Sequence, residues 1–172
     1  DPVCVVCCIS SHKNERPFRR VKQSFRALHL LMLDDVGTKI PREAIHLKAT
    51  YAVETSSGNF KLGFKLKEPL TDLDMVDRLG KSVIAAGLSD PGAGGLATRF
   101  ARLPQGWNTK RNPLWKCGLV TWRPELAYTL EELLDGLEIE LAPPKPKAES
   151  KPAPGQPQSH TSRPPFTRNA MP

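Results

Sequence analysis

Leu30-Leu31-Met32-Leu33-Asp34-Asp35 is the stretch on which the reading of this chain turns. An apolar run that ends in carboxylates reads as a buried strand delivering acids to its tip, where loops gather and sites form. Asp34 and Asp35 at such a tip suit a hard divalent cation, Mg²⁺ or Mn²⁺, held by carboxylate oxygens and bridging to phosphate. Paired acids after a strand also serve as plain turn chemistry, because Asp favours chain reversals.

On either side of this stretch the patterning is mixed. Val3 to Ile9 reads as a buried strand, Arg19 to Leu28 as a partly helical segment, and Ala27 to Leu33 as a second strand ending at the acids. Tyr51 to Glu54 runs into the turn formers Thr55-Ser56-Ser57-Gly58-Asn59. Beyond them Phe60, Leu62, Phe64 and Leu66 alternate with Lys61, Gly63, Lys65 and Lys67, so the two runs and the turn predict a hairpin. Leu73, Val76, Leu79 and Val83 share one helical face, with Thr71 and Asp74 as a capping-box-like start and Gly87 as the stop. Arg99 to Leu103 and Trp115 to Trp122 read as further strands, and Thr129 with Glu132 opens a short last helix. Strands and helices intermixed with a hairpin predict an α+β fold, a mixed or antiparallel sheet with flanking helices.

The chain has 172 residues, and nine of its 17 prolines fall between Pro143 and Pro172. From Ala142 onward there is almost nothing to bury, so the expected organisation is one folded domain over residues 1–141 and a disordered Pro/Lys-rich linker over 142–172, with a further domain beyond it. Asp1 leads directly into strand-like sequence, which reads as an N-terminally truncated fragment. The formal net charge is +7, but its distribution says more than its total. No acid occurs between Pro91 and Pro124, where Arg99, Arg102, Lys110, Arg111, Lys116 and Arg123 lie. A second basic run, Lys13, Arg16, Arg19, Arg20, Lys22 and Arg26 against Glu15 alone, precedes the acid pair. One such run is usually a solvated face; two flanking an acid pair favour nucleic acid or nucleotide.

Several function classes drop out. Cys4, Cys7 and Cys8 crowd one apolar strand and Cys117 stands far away, which suits buried free thiols in a reducing compartment better than a disulfide scaffold or, with His12, a zinc site. No apolar run is long enough to span a membrane, and the chain reads as soluble and cytoplasmic. Gly92-Ala93-Gly94-Gly95 matches a dinucleotide fingerprint only formally, because no strand feeds it, and Gly37-Thr38-Lys39 lacks the upstream glycine of a phosphate-binding loop. His12, His29, His46 and His160 have no evident catalytic partners, so hydrolase triads get no support.

What remains is Leu33-Asp34-Asp35-Val36-Gly37-Thr38-Lys39, Glu54-Thr55-Ser56-Ser57-Gly58-Asn59-Phe60, Leu88-Ser89-Asp90, and Arg102-Leu103-Pro104 with Asn108 and Lys110. In that order these resemble the archaeo-eukaryotic primase superfamily, closest to the phage- and plasmid-encoded branch with a RepB-like primase domain, over about residues 25 to 125. The resemblance implies a primase core in which Asp34, Asp35 and Asp90 bind catalytic Mg²⁺ or Mn²⁺ and the Ser56 to Asn59 turn with Lys61 contacts the incoming nucleotide. Arg99, Arg102, Asn108 and Lys110 would meet triphosphate or template phosphates, and Trp107 would be placed to stack a base. Implied partners are single-stranded DNA, nucleoside triphosphates and a helicase or replication domain beyond the linker. The rival expectation is a noncatalytic replication-initiator module that only binds DNA. Two departures stand out. Adjacent Asp34 and Asp35 leave a regular strand on opposite faces, where many members carry acids one residue apart, and Asn59 or Lys61 stands where a His is frequent.

Overall fold

The computed structural model describes residues 6–8, 10–13 and 21–144. Strands β1 (Val6–Cys8) and β2 (Ser10–His12) come first, then a single 3₁₀ turn at Lys22–Ser24 and the long strand β3 (Phe25–Val36). β4 (Tyr51–Ser56) and β5 (Asn59–Leu70) form the hairpin that the alternation predicts, followed by helix α1 (Leu73–Ala85). Short strands β6 (Phe100–Arg102), β7 (Trp107–Asn108), β8 (Trp115–Lys116) and β9 (Gly118–Trp122) lead to helix α2 (Leu130–Gly136). Five strands make one antiparallel sheet in the order β2-β3-β5-β4-β9, while β1 pairs with β6 and β7 with β8. The class is α+β, with an antiparallel sheet and flanking helices. The linker expected from Ala142 lies outside the described residues from position 145 on, as do Cys4, Arg16, Arg19, Arg20 and the side chains of Cys7 and Cys8.

Four local expectations change. The segment before the acids is not helical to Leu28: Phe25, Ala27 and Leu28 are buried around exposed Arg26, and sheet pairing takes the chain from Phe25 onward. β3 does not stop at the acids but carries through them to Val36. α1 is capped by Asp72 and not Thr71, its carboxylate accepting the Asp74 N–H at 2.9 Å. Trp115 to Trp122 is two strands with different partners, broken at Cys117, whose backbone bonds to Gln105 and Gly106.

α1 packs on β3 and β5 and buries Val76, Leu79 and Val83, the face its spacing marks. Leu31 and Phe64 are opposite each other and fully buried, and Phe64 meets the Tyr128 ring at 6.3 Å between centroids. α2 carries the full capping box expected at Thr129 and Glu132 and buries Leu133. One step along β3, Met32 sits opposite Gly63, and Gly63 opposite Tyr51, so these share the other face of the sheet. That second face carries the site.

Candidate active site

The β3–β5 register runs Leu33 to Leu62 and then Val36 to Phe60, so Asp34 and Asp35 together stand opposite Lys61 alone. This is a β-bulge, and it is made at Asp35, whose φ is +58. Asp tolerates this left-handed conformation better than most side chains. The bulge cancels the alternation that would send adjacent side chains to opposite faces, and both carboxylates line one polar cavity of about 460 Å³. Asp34 Oδ1 accepts the Asp35 N–H at 2.9 Å. The Asp35 carbonyl then takes N–H bonds from Thr38, Lys39 and Ile40 at 3.3, 2.9 and 3.2 Å, closing the turn that follows. Gly37 in that turn has φ +91, and a Cβ there would lie 2.3 Å from the Gly58 carbonyl oxygen, so only glycine lets the two turns meet.

The hairpin supplies the next wall. Buried Asn59 donates Nδ2 to Asp35 Oδ1 at 3.1 Å and accepts from Thr38 Oγ1 at 3.1 Å, which holds the acid's amide partner in one orientation. The Lys61 ammonium, its side chain only 12% exposed, pairs with Asp34 Oδ2. The acid-free stretch closes the cavity with Arg102, Asn108, Lys110 and Arg111. Asn108 is buried and donates Nδ2 to the Thr55 carbonyl at 2.7 Å, while its Oδ1 accepts the Lys110 N–H at 3.3 Å. Arg111 donates to Ser56 Oγ at 3.3 Å. Asp90 joins through an intermediary: Lys39 Nζ lies 3.0 Å from Asp35 Oδ2 and 2.5 Å from Asp90 Oδ2.

These contacts set the charge states. Burial works to raise the Asp35 carboxyl, but the Asn59 and Lys39 hydrogen bonds and the Lys39 and Lys61 charges outweigh it and hold it below the ordinary 3.8. The Lys39 hydrogen bond, with the Gly92 N–H, lowers Asp90 as well. Lys39 itself, bonded to both acids, is held above its ordinary value.

The structure therefore gathers Asp34, Asp35, Asn59, Lys61, Arg102, Asn108 and Lys110 around one cavity. Ser56 stands behind it, one bond away through Arg111. Ser57 is exposed on the turn and does not line the cavity, and the Gly58 N–H donates to Glu54 Oε1 at 2.9 Å. Arg99 is buried behind the site, donating to the carbonyls of Met32 at 3.4 Å and Gly94 at 2.8 Å. Burial lowers its pKa and the nearby Asp34 charge opposes that. Lys39, Thr55 and Arg111 also belong to the site; the motifs contain Lys39 and Thr55, but none of the three was given a site role from sequence. Arg111 was signalled by the acid-free stretch, whereas nothing in the acid motif marked its last residue, Lys39, as a partner of the acids.

No protein-family model matches the sequence, and no curated protein is detectably similar to it. Solved structures do match. The archaeo-eukaryotic primase (AEP) domain of the primase-polymerase of cyanophage S-2L aligns with a TM-score of 0.53 at 14% identity over 69% of this chain and 64% of that one. The crystal structure of primase RepB′ aligns with a TM-score of 0.50 at 15% identity over 67% of this chain and 39% of that one. The chain thus spans less than two thirds of either neighbour. Its fold is that of an archaeo-eukaryotic primase domain, the class the motif order resembles.

Proposed function

We propose that this chain is the nucleotidyl-transferring domain of a phage or plasmid primase or primase-polymerase, adding nucleotides on a single-stranded DNA template. One observation carries the reading: a primase fold brings two adjacent carboxylates and four basic side chains, Lys61, Arg102, Lys110 and Arg111, to one cavity on its sheet. Phosphoryl transfer from a nucleoside triphosphate is mostly positioning and charge neutralisation, and this lining suits both.

The donor set suits a hard cation. Asp34 and Asp35 present carboxylate oxygens to one cavity, and each already holds an ammonium, from Lys61 and Lys39 respectively. Asp34 and Asp35 would hold Mg²⁺ or Mn²⁺, with Asp90, linked to Asp35 through Lys39, as the candidate third ligand. Bound there, the metal supplies charge neutralisation at the attacking and leaving oxygens. Asn59 fixes the Asp35 carboxylate by holding its Oδ1. Lys110 and Arg111 neutralise triphosphate oxygens, and Arg102 meets the template backbone. Residues 142–172 would tether a helicase or replication domain, and the bacterial cytoplasm is the setting.

A second reading has its own support: among the described residues, no group of three or more acidic, His or Cys side chains is assembled to take a metal. That favours a noncatalytic DNA-binding module of a replication initiator. Labelled-nucleotide incorporation on single-stranded DNA with Mg²⁺ or Mn²⁺ separates the two, using the native protein and its Asp34→Asn and Asp35→Asn forms. Lengthened strands that either substitution abolishes support the transferase. Template binding without extension, undiminished by the substitutions, supports the initiator module.

A further inference from the structure

On the same sheet face as the cavity, Tyr51 lies across Gly63 so closely that a Cβ there would come within 2.2 Å of the ring. The glycine clears the strand and lets the ring rest on the backbone of its neighbour. Across the next strand, Tyr51 is opposite Trp122, which is 62% exposed on the outermost strand β9. Exposed tryptophan on a rigid strand is unusual, because so large an apolar surface is ordinarily covered. Tyr51 and Trp122 line a second hollow of about 400 Å³ together with Leu30, Leu119 and the Leu103-Pro104 turn.

Arg102 lines both hollows, so the apolar groove adjoins the acid-bearing cavity. Among the described residues no acid lines the groove, and Arg102 is the only charged one that does. A phosphate has no reason to enter it, whereas a flat apolar ligand bearing an anionic neighbour fits both the groove and its arginine. We propose that this groove seats an unstacked base of the single-stranded DNA template, with Trp122 and Tyr51 as its stacking platform and Arg102 on the adjoining phosphate. The proposal deepens the functional reading above and rests on it. Stacking on an aromatic face accepts any base, so the groove holds template without reading its sequence.

The test is fluorescence anisotropy of a labelled oligothymidylate with the native chain, Trp122→Ala, Trp122→Phe and Leu119→Glu. Trp122 and Leu119 are exposed, so these forms keep the fold, and a melting curve checks it. Trp122→Ala is expected to bind about 10-fold more weakly, with Trp122→Phe recovering most of the loss. Leu119→Glu, which puts an acid beside the groove, is expected to weaken binding too. The slope of log affinity against log salt should stay unchanged in Trp122→Ala, because no phosphate contact is removed. An abasic oligonucleotide should erase the difference between native and Trp122→Ala. Equal binding by native and Trp122→Ala, or an equal loss on the abasic strand, overturns the base seat while leaving nucleotide incorporation intact as evidence for the transferase. Loss of a self-associated species with DNA binding untouched would assign the groove to a second copy and also overturn it. A native chain that binds no single-stranded DNA at any salt concentration removes both readings together.

Discussion

Substituting Asp35 by Asn, Gly and Ala separates what its backbone does from what its carboxylate does. At φ +58 an alanine carries the left-handed penalty of roughly 1–2 kcal/mol, while a glycine escapes it but loses roughly 0.5–1 kcal/mol through the freedom it gains when unfolded. Both give up the bond from Asn59 Nδ2, a net contribution of about 1 kcal/mol, and the solvent-screened ion pair to Lys39. Asparagine keeps an acceptor for Asn59 and tolerates the conformation, losing only the charge. The expected order of stability is therefore native, Asn, Gly, Ala, with Gly above Ala by about 0.5–1 kcal/mol. At a urea m-value of ~2 kcal/mol/M that gap separates the two midpoints by about 0.3–0.5 M. Nucleotide incorporation should fall by a factor of ~100 or more in all three, Asn included, because the proposed transfer depends on the carboxylate charge. An alanine form as stable as the glycine form would refute the bulge. An asparagine form with native activity would refute the role of the carboxylate.

Other outcomes follow from the same contacts. The Asp35 and Asp90 carboxyls are held below 3.8, so the stability they contribute is complete above that pH and is lost as pH falls through their lowered values. Urea midpoints measured between pH 5 and pH 3 should thus decline more steeply for the native chain than for Lys39→Met. Gly37→Ala meets both a positive φ and the Gly58 carbonyl, and should cost about 2–4 kcal/mol in denaturant unfolding. Leu79→Ala, at a fully buried position of α1, should cost about 2–5 kcal/mol without changing the affinity of the remaining folded protein for DNA.

How much of this was legible depended on how local each cause was. The hairpin and α1 were readable because Phe60 to Leu66 and Leu73 to Val83 repeat at the periods of strand and helix, and each period is a property of neighbouring residues alone. The capping box at Thr129 and Glu132 is local in the same way. The bulge was not, because nothing in Leu33-Asp34-Asp35-Val36 marks a register shift that arises only against Lys61 on another strand. That shift is what reconciles adjacent acids with a shared cavity. The pairing of Lys39 was likewise illegible, since its partner Asp90 lies 51 residues away. The turn formers at Ser56 to Asn59 were read correctly as a turn, but composition cannot say that Glu54 takes the Gly58 N–H before any anion does.

Lys39 also gives the loop at Asp90 a dependence on ionic strength. Its side chain is 59% exposed, and its ammonium ties that loop to the turn after β3 through water-accessible charge. Exposed charges lose their hold on one another as the screening length shrinks from about 10 Å at 0.1 M salt to about 3 Å at 1 M. The acids on the bulge are held by backbone and buried amide bonds that salt scarcely touches, whereas Asp90 is moored by a tether that salt slackens. Concentrated salt therefore weakens the hold on Asp90 well before it loosens the sheet.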